Sequence, residues 1–251
     1  MARPLVAVAT SAYGADFIRA HGQEHVLTIV ARAGAAAIEI RRELFTAEVA
    51  PQLQGLRRAI AGQGLSTVYS VPLELWRADG RLDAEPLADA LKEAAMLEAR
   101  WLKVSLGHYR AACDLSALAR VLAVHGTPLL IENDQTEQGG DPARIAAFLA
   151  AGEQARLRIG LTFDIGNWQW TGHDALQAAA LLGPHVQYVH CKGVLRDGGK
   201  LKAVPPEAEL AQWPALFAHF RPGVMRAIEF PLVGADLTAV TTRHVAELAT
   251  L

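Results

Sequence analysis

PLLIEN (residues 128–133), DPARIAAFLAAGEQAR (141–156) and IGLTFD (159–164) form one strand–helix–strand unit, and its pattern decides the fold. The two outer pieces are short apolar β-type runs. The middle piece has apolar residues spaced by three and four, and it opens on Asp141-Pro142, which suits the first turn of an amphipathic helix. Two strands joined by a helix of this length are expected to lie parallel.

The unit recurs along the whole chain. Further β-type runs fall at residues 5–10, 37–41, 67–72, 101–106, 186–192 and 226–231, with helical patterns such as 86–100 between them. Asp114, Asp236, Gly34, Gly64 and Gly126 punctuate the joints as helix starts and ends do. Eight strand–helix units of roughly thirty residues, without a dinucleotide glycine fingerprint, favour a closed (β/α)8 TIM barrel over an open doubly wound sheet. The expectation is one α/β domain spanning residues 1–251.

Strand parity then sorts side chains by face. In the last run Ile228 and Phe230 point outward, leaving Ala227, Glu229 and Pro231 inside. The same rule groups Leu130 with Glu132, Gly160 with Thr162 and Asp164, Tyr188 with His190 and Lys192, and Glu39 with Arg41 opposite Ile38 and Ile40. The inward ionisable residues fall near the C-terminal strand ends, where barrel active sites are built. A single carboxylate there reads equally well as an ion-pair partner. Four converging groups point to a ligand, because buried charge is costly unless paired or metal-bound.

Glu132, Asp164, His190 and Glu229 make an oxygen-rich set with one nitrogen. That mixture suits one divalent metal ion such as Mn2+, Mg2+ or Co2+, with Zn2+ also accommodated. Cys113 and Cys191 fit neither a disulfide framework nor a zinc spacing, so buried thiols in a reducing compartment are expected. With 24 basic and 26 acidic side chains there is no broad cationic field, so neither nucleic acid nor membrane is expected as a partner. Residues 1–10 lack signal-peptide character and no apolar stretch approaches a membrane span, so the expected location is the cytoplasm. Assembly into a homo-oligomer is left open.

Leu130-Ile131-Glu132-Asn133, Phe163-Asp164-Ile165-Gly166-Asn167-Trp168, Val189-His190-Cys191-Lys192 and Ile228-Glu229-Phe230-Pro231, in this order on successive strands, resemble the xylose isomerase-like barrel superfamily. Within it they are similar to the sugar-ketose 3-epimerases and related dehydratases. The resemblance covers essentially the whole chain. It implies that Glu132 and Glu229 serve both as metal ligands and as the catalytic acid/base pair. The implied activity is isomerisation or epimerisation of a small sugar or sugar acid, a ketose or a 2-ketogluconate-related keto-sugar acid, through a metal-stabilised enediolate. The alternative is a metal-dependent dehydratase resembling 3-dehydroshikimate or inosose dehydratase, and a third reading is a non-catalytic barrel that keeps the metal.

The same resemblance places Arg196, six residues after His190, at substrate hydroxyls, although Arg196 reads equally as a solvated loop charge; Lys192, two after His190, should point into the same mouth and contact substrate. Asn167 stands where many relatives carry histidine, Gly193 where an aspartate often follows, and Gln138 beside Glu137 where some epimerases place a second acid. Asn167 can hydrogen-bond a hydroxyl but cannot act as acid or base. His108, after the fourth run with Tyr109, is expected to touch substrate, and Trp168, with Trp170 nearby, to offer a stacking wall. Trp76 and residues 73–82 are expected to form a lid. Glu39 and Arg41 are expected to pair inside the barrel, with Arg41 alternatively reaching a substrate carboxylate or phosphate. Histidines 25, 125, 173, 185, 219 and 244 are expected away from the site.

Overall fold

The computed structural model describes residues 4–251 apart from Ala47, Ala208 and the side chain of Pro51. Its strands are β1 (Val6–Ala9), β2 (Ala37–Arg41), β3 (Ser66–Trp76), β4 (Trp101–Gly107), β5 (Leu129–Glu132), β6 (Ile159–Asp164), β7 (Val186–Cys191), β8 (Gly193–Asp197), β9 (Lys200–Val204) and β10 (Met225–Ile228). Eight of them close into a parallel barrel in the order β1-β10-β7-β6-β5-β4-β3-β2, with helices alternating around it. The expected (β/α)8 barrel is what the chain forms. Asp114, Asp141, Asp174 and Asp236 accept backbone N–H groups at helix starts, which satisfies donors the first turn leaves unpaired.

Parity produces two cores. Ile38, Ile40, Ile131, Phe163, Val189 and Ile228 face the helices, whereas Ala7, Ala37, Val68, Trp101, Leu130, Tyr188, Met225 and Ala227 fill the barrel. Alanines on β1, β2 and β10 leave room for the rings of Trp101 and Tyr188, whose centroids lie 5.8 Å apart. Small and large residues thus share one narrow interior. The charged side chains inside the barrel sit above this floor.

The structure corrects the expected element pattern in three places. A hairpin, β8 paired antiparallel with β9, follows β7 and lies outside the barrel. The last barrel strand ends at Ile228, so Glu229 stands one residue beyond it. β3 continues past Pro72 to Trp76, because Leu73 and Leu75 keep the alternation going while a register shift between Ser70 and Glu74 absorbs the proline, which has no N–H to give the ladder. The lid expected at 73–82 is therefore strand and tight turn. Trp76 is fully buried against Tyr109 and Phe148, with ring centroids at 5.9 and 6.5 Å.

Candidate metal centre at the barrel mouth

Asp164 ends β6, and its position is fixed from both sides. Asn133 accepts the Asp164 N–H at 2.8 Å and donates to the Asp164 carbonyl at 2.9 Å. The Asn167 N–H donates to Asp164 Oδ1 at 2.9 Å, which turns Oδ2 toward the barrel axis. His190 is the β7 register partner of Asp164. Its Nδ1 lies 2.7 Å from Glu132 Oε1, 3.1 Å from Glu229 Oε2 and 3.6 Å from Asp164 Oδ2. The four residues present donor atoms all within 4.8 Å of one another.

A ring of cations surrounds them. Lys103 Nζ is 2.5 Å from Glu132 Oε2, Arg41 Nη1 is 2.7 Å from Glu229 Oε1, and Lys192 Nζ is 2.7 Å from Asp164 Oδ2 and 2.8 Å from Glu229 Oε2. Glu39 Oε2 contacts His190 Nε2 at 2.6 Å.

Burial alone would raise the Glu132 carboxyl, but Lys103 and His190 more than offset it and hold the group at about 2. Glu229 is likewise held well below the usual range: against burial, His190, Lys192 and Arg41 all favour its charge. Asp164 goes the other way, raised by burial, which Lys192 only partly offsets. His190 is disfavoured as a cation by burial, yet the three glutamates around it push its basicity well up. Both glutamates are thus ionised across the physiological range.

These residues fit a divalent ion. Glu132 Oε1, Asp164 Oδ2 and His190 Nδ1 are buried and make no well-aligned hydrogen bond among the described residues; they crowd one another, with Lys192 Nζ against Asp164 Oδ2, around one point. Carboxylate oxygens with one imidazole nitrogen are a hard-to-borderline donor set. Glu132 and Glu229 remain about 13% exposed at the side chain, so the centre opens to the mouth.

The remaining expected contacts divide sharply. Lys192 and Arg41 belong to the ring. Asn167 is spent internally: its Nδ2 donates to the Asn133 carbonyl and its Oδ1 accepts from Gln135. Trp168 offers no stacking face, being fully buried against Phe163 and His173. Arg196 is exposed on the β8–β9 hairpin. His108 is half-buried at the mouth, with Nε2 3.8 Å from Glu74 Oε2, and Gln138 donates to the same carboxylate at 3.1 Å; Tyr109 turns into the core. His25, His125, His173, His185, His219 and His244 lie outside the cluster, and both cysteines are buried free thiols.

Lys103 and Glu74 are what the sequence reading passed over. Lys103 carried a usable signal, since it alternates with Trp101 and Ser105 on the inner face of its strand, opposite Leu102, Val104 and Leu106.

Residues 27–224 match the model of the xylose isomerase-like TIM barrel family, and the chain belongs to that family. No curated protein sequence matches it. Among solved structures it resembles an L-ribulose 3-epimerase at TM-score 0.68 and 19% identity, covering 99% of this chain and 94% of the other. A D-psicose 3-epimerase, solved in the presence of D-fructose, superposes at TM-score 0.65 with 12% identity over 98% of this chain and 94% of its own. The 3-keto-D-glucoside 4-epimerase of E. coli does so at 0.66 with 15% identity over 99% and 100%. At these identities the likeness establishes the fold. No helix among the described residues is long and apolar enough to cross a membrane.

Proposed function

We propose that the chain is a divalent-metal-dependent sugar isomerase or epimerase that acts on a ketose or keto-sugar acid, and that Glu132, Asp164, His190 and Glu229 hold the ion. The observation that carries this reading is the convergence of three buried ligand atoms without a well-aligned hydrogen bond on one point at the mouth, with Glu229 beside them. The structural likeness to three sugar epimerases supports the same choice of chemistry.

When bound, the ion supplies Lewis acidity to adjacent carbonyl and hydroxyl oxygens. Glu132 and Glu229 form the acid/base pair: one carboxylate takes the carbon-bound proton, the electron pair passes into an enediolate, and the other, which picks up a proton from solvent at the open mouth, returns it to carbon; the first then releases its proton to solvent, which restores both carboxylates. Carboxylates held this low are weak bases, so they suit only a C–H already acidified by a neighbouring polarised carbonyl. Arg41 and Lys192, the cations nearest Glu229, would hold substrate oxygens, and a carboxylate would suit them well.

Mn2+-loaded protein incubated in D2O with a panel of ketoses and keto-sugar acids tests the proposal. The expected result is an epimer or isomer that has taken up solvent deuterium at the reacting carbon, lost in Glu132→Gln and Glu229→Gln. A new unsaturated chromophore from the same panel would make the enzyme a dehydratase. Full turnover in both glutamine variants would overturn the mechanism.

A further inference from the structure

Glu39 makes a contact that the local sequence does not announce. It lies on β2 and His190 on β7, with the inner faces of β1 and β10 between them. Both side chains are completely buried, yet Glu39 Oε2 and His190 Nε2 meet at 2.6 Å. The intervening strands permit this because their residues at these rungs are alanines: Ala9 is the register partner of Glu39, and Ala227 that of His190. Larger side chains there would fill the space through which the two groups touch.

Distances decide which partner Glu39 serves. Arg41 lies nearer to Glu229 at 2.7 Å and Glu43 at 2.8 Å than to Glu39 at 3.2 Å. Lys103 lies 2.5 Å from Glu132 and 3.7 Å from Glu39. Each cation thus has a closer carboxylate, and the shortest contact of Glu39 is to the imidazole. That contact leaves His190 Nδ1, the opposite ring nitrogen, facing Glu132, Asp164 and Glu229.

We infer that Glu39 is the positioning residue of the centre: it accepts the Nε2–H of His190, fixes the ring so that Nδ1 is the ligating nitrogen, and thereby presets the site for its ion. This rests on the metal-binding reading above. A carboxylate behind a ligating imidazole selects the tautomer and raises ligand basicity, and losing such a partner typically weakens metal affinity about 10–100-fold. Through Arg41 and Lys103, Glu39 also joins both glutamates in one network, so loosening it is felt on both sides of the ion.

Mn2+ binding to wild-type, Glu39→Gln and Glu39→Ala proteins, measured by calorimetry without substrate, tests the inference, with circular dichroism to verify the fold. The expected result is Kd weakened about 10-fold by Gln, which keeps the shape but loses the charge, and nearer 100-fold by Ala. In the zinc-loaded wild type, long-range 15N–1H spectra of His190 should show a metal-bound Nδ1 and a protonated Nε2; that readout needs no variant. Binding by folded Glu39→Gln within two-fold of wild type, or ligation through Nε2, overturns the inference alone. Failure of the wild type to bind Mn2+ or Zn2+ overturns the metal reading itself.

Discussion

Lys103 Nζ lies 2.5 Å from Glu132 Oε2, and its side chain is only 2% exposed. Burial would lower the lysine, but Glu132 and Glu39 hold it above its ordinary range, so it remains a cation. Glu229 is matched by Arg41 at 2.7 Å and by Lys192, which follows β7, at 2.8 Å. The two glutamates are therefore charge-compensated from different strands, β4 on one side, β2 and the end of β7 on the other.

Lys103→Met should be costly, because it removes the closest counter-charge of a buried carboxylate and leaves Glu132 only the imidazole of His190, which Glu39 and Glu229 share. The expected loss is about 3–5 kcal/mol in urea unfolding of the metal-free protein. Adding Glu132→Gln removes the stranded charge, so the double variant should recover part of that loss. Two independent, additive losses would show that the contact carries no coupling.

Gly107 closes β4 with φ of 67°, and a Cβ built there would stand 2.4 Å from the Trp76 carbonyl oxygen. Backbone cannot yield as a flexible side chain can. Gly107→Ala should therefore cost more than the about 1 kcal/mol of an ordinary unfavourable glycine replacement. Gly34→Ala is the control, with φ of 79° but open space around its Cβ. Equal thermal shifts for the two would show that the approach to Trp76 is not limiting.

The four clustered residues were legible because a strand has period two: once the runs are found, Glu132, Asp164 and His190 fall on the inner face, and Glu229, one residue past the end of β10, keeps the alternation because its N–H still donates to the Cys191 carbonyl at 3.3 Å. Lys103 obeys the same rule and was equally readable. Trp168 was not, since it opens a helix four residues past the end of β6, where strand parity no longer applies, and its ring turned into the core against Phe163. The Glu39–His190 contact was illegible for a different reason: it spans 151 positions and depends on alanines on two intervening strands. The hairpin had a local signal in Gly198-Gly199, two positive-φ glycines between alternating runs. Its place outside the barrel was set by closure of the eight parallel strands, which leaves no edge for it to join.

Trp101 fills the barrel floor beneath the ring, stacked on Tyr188. Trp101→Ala should cost about 3–5 kcal/mol, since eight strands converge around the ring and cannot collapse into the gap. Because Tyr188 in turn packs edge-on against His190 at 5.2 Å, the same variant should weaken Mn2+ binding in calorimetry. Lost stability with unchanged Kd would mean the floor and the centre are mechanically independent.

Alkaline pH should destabilise the protein through its tyrosines. Burial raises all four, Tyr13, Tyr69, Tyr109 and Tyr188, above the ordinary value of 10.0. At Tyr13 burial dominates, the hydrogen bond with Thr241 at 3.0 Å offsets little, and the phenol is pushed up to about 12. Below pH 10 the phenol is neutral in both folded and unfolded chains, so its contribution is fully present. Above pH 10 the unfolded chain ionises first, which favours unfolding until the folded phenol also titrates near 12. The gap at Tyr13 corresponds to about 3 kcal/mol. Urea midpoints should therefore fall steadily between pH 10 and 12, and Tyr13→Phe should fall less steeply than wild type across that window because phenylalanine has no proton to lose. Parallel slopes for the two proteins would place the alkaline loss elsewhere.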